Sequence, residues 1–337
     1  MKSQTTSSLQ RNTRRAVLVL AAAPLLAGVT TSVFAQQAWP NKTVKLVVPF
    51  PPGGPTDTIT RIVGQRLSEQ VKQTVMVDNR AGASGSIAAG QVAKTEPDGY
   101  TLMMLATPTL LAPHLYKSVK YNTAKDFTPV AMVYDLPLVI VVNPELLPNV
   151  TDLQKLIAHA KAEKGKVNYT SAGVGSFGHL STELLKQMGG FDMMHIPYKG
   201  STPAITDVIG GRVPIMFADL IAAQPHIQSG KLRAIAVGSF KRVSTLADVK
   251  TIDEQGFQGY EAVSWGGIVA PPGMPKALVD SVANEIKKIL DDKQVQDRIA
   301  ETGAFAHFVA PAPFGEIIEK DYAKWGKVIR DNNITTN

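Results

Sequence analysis

The sequence contains no cysteine, which removes disulfide scaffolds, thiolate metal sites and cysteine nucleophiles together. Aromatic residues are few, at 7%, and charged residues make up only 19%, so neither a highly charged disordered chain nor a coiled coil is indicated. No apolar run reaches the roughly 18–20 residues that span a bilayer. What is present is an ordinary globular composition, 44% hydrophobic over 337 residues. At roughly 100–200 residues per domain that length suggests two domains.

Acidic residues are missing from the first 35 positions, where Lys2, Arg11, Arg14 and Arg15 precede the apolar run Ala16 to Gly28 and then Val33-Phe34-Ala35. A basic start, an apolar stretch and a small-x-small ending predict an export signal cleaved after Ala35. Arg14-Arg15 resembles a twin-arginine signal, and the general secretory route is equally compatible. Removing residues 1–35 leaves 31 basic and 28 acidic residues, a net charge of +3 over 302 residues. No dense basic run remains, so a nucleic-acid partner is not indicated. The expectation is an exported, periplasmic protein.

From residue 43 onward, short β-rich runs alternate with helical periodicity, which predicts an α/β fold with mixed sheets flanked by helices. Strands are expected at Thr43–Pro49, Thr74–Val77, Tyr100–Leu105, Val130–Val133 and Leu138–Val142. Helices are expected at Thr58–Val71 and Ile87–Ala93. A second series begins at Thr151, where Gln154 is placed to complete a capping box. It continues through strands Val167–Thr170, Met193–Ile196, Val213–Phe217 and Leu232–Val237, with helices His179–Met188 and Pro203–Ile209 between them. Strand Ala262–Val269 and helices Lys276–Leu290, Val295–Glu301 and Phe314–Arg330 close the chain. Two series joined by two crossings suggest a first lobe of residues 36–137 and 263–337 and a second of residues 138–262. A cleft at the strands' carboxyl ends would then lie between them.

Two glycine-rich turns carry the strongest chemical signal. Phe50-Pro51-Pro52-Gly53-Gly54-Pro55-Thr56-Asp57 links a strand to a helix, with Thr56 or Asp57 placed to cap it. Ser171-Ala172-Gly173-Val174-Gly175-Ser176-Phe177-Gly178-His179 does the same in the second series. Each exposes main-chain amides at a helix start, where an anion is favoured. The second turn also contains a literal G-x-G-x-x-G. However, the only acid at suitable spacing, Asp192, precedes the next strand, whereas a ribose-binding acid should follow it. An exported NAD(P)-dependent oxidoreductase using Gly173, Gly175 and Gly178 is therefore the alternative, and a carboxylate held between both turns is the main expectation. Ser84, Thr107, Tyr198 and Asp219 follow strands at positions where a cleft side chain would sit. Arg80 is expected to make a structural pair. Metalloprotease, serine-hydrolase and calcium-loop motifs are absent, and the six histidines show no ligand spacing. Neither a cofactor nor enzymatic chemistry is expected.

The ordered set Trp39-Pro40, PFPPGGPTD (49–57), NRAGASGS (79–86), PDGYTL (97–102), SAGVGSFGHL (171–180), PYKG (197–200) and APPGMP (270–275) resembles the substrate-binding proteins of tripartite tricarboxylate transporters, the Bug (Bordetella uptake gene) family. The resemblance covers nearly the whole mature chain. It implies a monomeric two-lobe binding protein of type II fold that closes on a small organic carboxylate and delivers it to integral membrane transporter subunits. It also implies that Phe50, Gly53, Gly54, Thr56 and Asp57 face Ser171, Gly175, Ser176 and His179 across the ligand, in part through bridging waters. Ser84 and Ser86 stand where this family often has Gly and Asn, and Ala81 where it often has Pro. These departures fall on the first lobe's cleft rim.

Overall fold

The computed structural model describes residues 39–336; the expected export signal and its cleavage position lie outside them. The described residues run β1 (Val44–Val48), α1 (Pro55–Val71), β2 (Val75–Asn79), α2 (Ser86–Val92), β3 (Thr101–Ala106), α3 (Thr107–Leu115), β4 (Thr128–Val142), α4 (Leu153–Ala162), β5 (Asn168–Ser171) and α5 (Phe177–Gly189). They continue β6 (Met194–Pro197), α6 (Ser201–Ile209), β7 (Ile215–Asp219), α7 (Leu220–Gln228), β8 (Arg233–Val237), β9 (Val263–Ala270), α8 (Lys276–Leu290), α9 (Lys293–Glu301), β10 (Phe305–Val309) and α10 (Pro311–Asp331).

Two parallel triplets, β2-β1-β3 and β7-β5-β6, are linked through antiparallel β9 and β4. The long strand β4 makes the link. Its first ten residues, Thr128 to Pro137, pair with β9, and Leu138 to Val142 pair with β7 and β8. The switch falls at Pro137, whose missing N–H is tolerated where one partner strand is exchanged for another. Ala262 returns a second link, its amide bonding to Gly238 O while Gly238 bonds to Leu138 O.

Burial follows the helical and strand periods. Ile59, Val63 and Leu67 of α1 pack with Leu46, Leu102, Val282 and Ile286, all fully buried. Around the second triplet, Tyr169, Leu180, Leu185 and Phe217 join a core that runs on to Phe314 and Trp325 of α10. This last helix thus packs with both sheet regions.

Several elements depart from expectation. The two strands expected at 130–133 and 138–142 are one strand, because Asp135 and Pro137 sit inside the pairing rather than ending it. Helices α3 and α7 and strand β10 were not foreseen. The cap of α4 is Asp152, whose carboxylate accepts from the Lys155 amide at 2.9 Å, while Gln154 bonds to Gln255 O instead of closing a capping box. Helix α1 starts at Pro55 with Gly54 as its N-cap, so neither Thr56 nor Asp57 caps it.

Candidate functional site

Six strand-to-helix turns, at the carboxyl ends of β1, β2, β3, β5, β6 and β7, open onto one cavity of about 540 Å³. From the β1 side come Phe50, Pro51, Pro52, Gly54, Pro55 and Thr56; from the β5 side come Ala172 through Gly178. Ser84, Ala106, Pro108, Tyr134, Leu136, Ser201, Met216, Phe217, Asp219 and Ser264 complete the wall. A pocket of this size, largely apolar with a few polar groups, is the usual form of a small-molecule site.

Of the sequence-predicted residues, Phe50, Gly54, Thr56, Ser84, Gly175, Ser176 and Asp219 line this cavity. Gly53, Asp57, Thr107, Ser171, His179 and Tyr198 do not, and each has a partner that explains why. The Asp57 carboxylate is buried; it accepts from the Gly53 amide at 2.9 Å, Asn79 Nδ2 at 2.8 Å and Arg61 Nε at 3.0 Å. Burial pushes its carboxyl up, but the bonds from Arg61, Gly53 and Asn79 outweigh this and hold it below the ordinary range. Thr107 accepts from the Trp265 amide at 2.9 Å inside the protein. Tyr198 donates to Asp207 at 2.5 Å. Arg80 pairs with Asp78 at 2.8 Å, as a structural residue should.

The second turn is pinned from behind in the same manner. His179 Nδ1 accepts the Gly175 amide at 3.1 Å, and its ring stacks on His195 with centroids 3.8 Å apart. His195 Nε2 lies 2.7 Å from Ser171 Oγ. Burial pushes both imidazoles down, His179 to about 4 and His195 to about 3. They are therefore neutral, as an acceptor nitrogen on His179 requires. His179, expected to touch a ligand, instead holds the turn.

The amides on offer consequently lie two or three residues beyond Gly53 and Gly175, because those two spend theirs on Asp57 and His179. Among cavity-lining residues, the first-turn amides of Thr56 in α1 and of Phe177 and Gly178 in α5 have no intrahelical acceptor. The glycines serve the backbone. Gly53, Gly173 and Gly175 hold φ of 90°, 139° and 73°, a region that disfavours side chains. Gly178 lets α5 approach so closely that a Cβ there would collide with Phe217 O. These needs account for the G-x-G-x-x-G pattern without a nucleotide. Asp192, considered as a ribose ligand, pairs with Lys186 at 2.9 Å.

Sequence reasoning missed Tyr134 and Ser201. The Tyr134 hydroxyl is 2.9 Å from Thr56 Oγ1, and burial pushes its titration up to about 12. Ser201 begins α6 and donates to Asp219 Oδ2 at 3.2 Å; its place just after a strand and Gly200 was an available signal. Burial pushes the Asp219 carboxyl above its ordinary range, with the Ser201 bond a partial offset. Among the described residues lining the cavity there is no Lys, Arg or His, and Asp219 is the one carboxylate. Among the described residues, no group of three or more His, Asp or Glu could hold a metal.

This arrangement, glycine-rich turns presenting amides to a cavity between two linked sheets, defines a solute-binding protein of the two-lobe periplasmic class. Comparison with known proteins agrees: residues 59–334 match the model of the tripartite tricarboxylate transporter family receptor, and the chain belongs to that family. It is 35% identical over 322 residues to protein BugT of Bordetella pertussis, covering 95% of this chain and 98% of that one. Among solved structures it is similar to R. palustris Rpa4515 with adipate (37% identity, TM-score 0.74, covering 88% of this chain and 100% of that one). It is also similar to the periplasmic binding protein BugD (32% identity, TM-score 0.71, 88% and 100% coverage).

Proposed function

We propose that this chain, exported and cleaved after Ala35, is a monomeric periplasmic receptor. It captures a small organic carboxylate between lobes 36–137 plus 263–337 and 138–262 and delivers it to the membrane subunits of a tripartite transporter. It performs no covalent chemistry. The observation that carries this reading is that the first turns of α1 and α5, which start from different sheet regions, line the same cavity. A carboxylate there accepts amides from both, through bridging waters where the reach is longer. Three or four charge-assisted bonds at about 1.5–3 kcal/mol each supply about 5–12 kcal/mol, and burial of the ligand's apolar part adds what ordering costs would otherwise take from a micromolar affinity of about 8 kcal/mol. The adipate seen with a relative supports the ligand class.

The test is a thermal-shift screen of organic acids on residues 36–337. A ligand at about a hundred times its Kd adds about 2.7 kcal/mol, which raises Tm by about 4 °C in a chain this long. A screen in which no acid shifts Tm while NAD or NADP binds saturably would reverse the assignment in favour of an exported oxidoreductase.

A further inference from the structure

The Asp219 carboxylate is the feature that anion capture leaves unused. It ends β7, lines the cavity, and among the described residues receives one hydrogen bond, from Ser201 at 3.2 Å. A carboxylate has about four acceptor sites, so Oδ1 is left without an intramolecular donor. No basic side chain among the described cavity residues offsets its charge. Position adds a length. Gly178 of α5 packs against the Phe217 carbonyl, and Asp219 lies two strand residues further on, about 7 Å. A carboxylate gripped at the α5 amides therefore places the rest of its molecule against Met216, Phe217 and Leu136 and then against Asp219.

We propose that Asp219, oriented by Ser201, is a specificity residue that selects monocarboxylates carrying a hydroxyl or ammonium donor and discriminates against fully ionised dicarboxylates. The inference rests on the carboxylate-receptor reading above. Its chemistry is direct. A ligand donor supplies the bond that Oδ1 lacks, and each such bond to a charged group is favourable. A second ligand carboxylate meets like charge with no basic side chain among the described cavity residues to compensate. Selectivity here comes from repulsion as much as attraction.

The experiment is isothermal titration at neutral pH with matched acids that differ only in the distal group: methyl, hydroxyl, ammonium or carboxylate. Chain lengths run from about two to eight carbons, with benzene analogues included, all within the capacity of such a pocket. In the wild type, the hydroxyl or ammonium member of the tightest-binding set should exceed its dicarboxylate by about tenfold or more. Asp219→Asn should narrow or invert that ratio. A dicarboxylate preferred by the wild type overturns the assignment of Asp219 while leaving the receptor reading in place. Absence of binding by every acid overturns both. Should Asp219→Asn fold poorly, the wild-type ratio alone decides, and Ser201→Ala, which removes the orienting bond, should reduce that ratio.

Discussion

Replacing Asp57 with Asn tests whether one buried carboxylate holds the first ligand turn. In the folded protein both oxygens are used: Oδ2 takes the Gly53 amide and Oδ1 takes Asn79 Nδ2, with Arg61 Nε within 3.1 Å of each. Asn79 uses the same amide group to bond Phe50 O at 3.1 Å, so the network spans the turn from Phe50 to Asp57. Asn has one acceptor oxygen. Whichever way its amide is placed, an NH2 faces either the Gly53 N–H or the Asn79 side chain, and a buried donor loses its partner. That costs about 1–3 kcal/mol, with a further fraction for the lost charge. Arg61 contributes little, because its side chain is 51% exposed. The expected loss is about 2–4 kcal/mol, which for a chain of about 300 residues lowers Tm by about 3–6 °C.

The pH dependence makes the test sharper. Asp57 has a folded-state pKa below the ordinary value of 3.8, so its contribution is fully present above that value and is lost as pH falls through the lower, folded one. The gap between wild type and Asp57→Asn should be flat from pH 7 to about 5 and close below about 4. Urea unfolding midpoints at several pH values read this directly. A gap that persists undiminished as the wild type becomes protonated, or one below about 0.5 kcal/mol at neutral pH, would refute the role given to the carboxylate.

Three other outcomes follow from the same geometry. Gly54→Leu should leave Tm within about 1 kcal/mol equivalent, since its φ of −79° suits any residue and its Cβ meets nothing within 4 Å; the side chain enters the cavity, so titration should show ligand binding lost. Gly178→Ala should do both kinds of harm. Its Cβ meets the Phe217 carbonyl, which costs about 1–3 kcal/mol in calorimetry, and the displaced α5 amides should weaken binding in parallel. His307 bonds Asp135 at 2.6 Å, a contact that raises its pKa against the opposing effect of burial. Its contribution is therefore present below its unfolded pKa, about 6.5, and disappears as pH rises through the folded one. The stability gap between wild type and His307→Ala should shrink between mildly acidic and alkaline buffers, and a gap that grows instead would contradict the pairing.

The legible parts of the fold were those where local pattern and final environment coincide. Apolar spacing at Ile59, Ile62, Val63 and Leu67 reads as a helix because that face is buried in place. Helices α3 and α7 contain Pro108, Pro113 and Pro225, a residue type that ordinarily marks the end of a helix. Pro108 lies in a first turn, where its missing N–H carries no cost, and tertiary packing overrides the other two. The long strand β4 escaped because Asp135 looks like a turn residue until His307 arrives from β10, 172 positions later. The two turns were legible from their glycines. Which of their amides remain free was not, because Gly53 and Gly175 donate to side chains four residues on, Asp57 and His179, whose orientations the sequence does not fix; the hydroxyls have distant partners, Ser171 with His195, 24 residues away, and Thr56 with Tyr134, 78 away.

The same distribution of groups bears on how such a receptor releases its cargo. A lysine or arginine in the cavity would attract an anion from one lobe alone, with the lobes apart as well as together. Helix starts act otherwise. Each offers only about half a unit of positive charge, and its effect fades within a turn. A carboxylate held by α1 alone keeps half its partners, and the other half come only when α5 reaches it. On the proposed reading the ligand would thus bind the shut form far better than the open one, and that difference alone would set how strongly it can drive closure. Opening by the proposed membrane partner would remove half of that grip at once. With no Lys or Arg among the described residues of the cavity wall, only a single helix start would then retain the anion, and on the proposal above Asp219 would add a repulsion that any misplaced carboxylate meets during escape or rebinding.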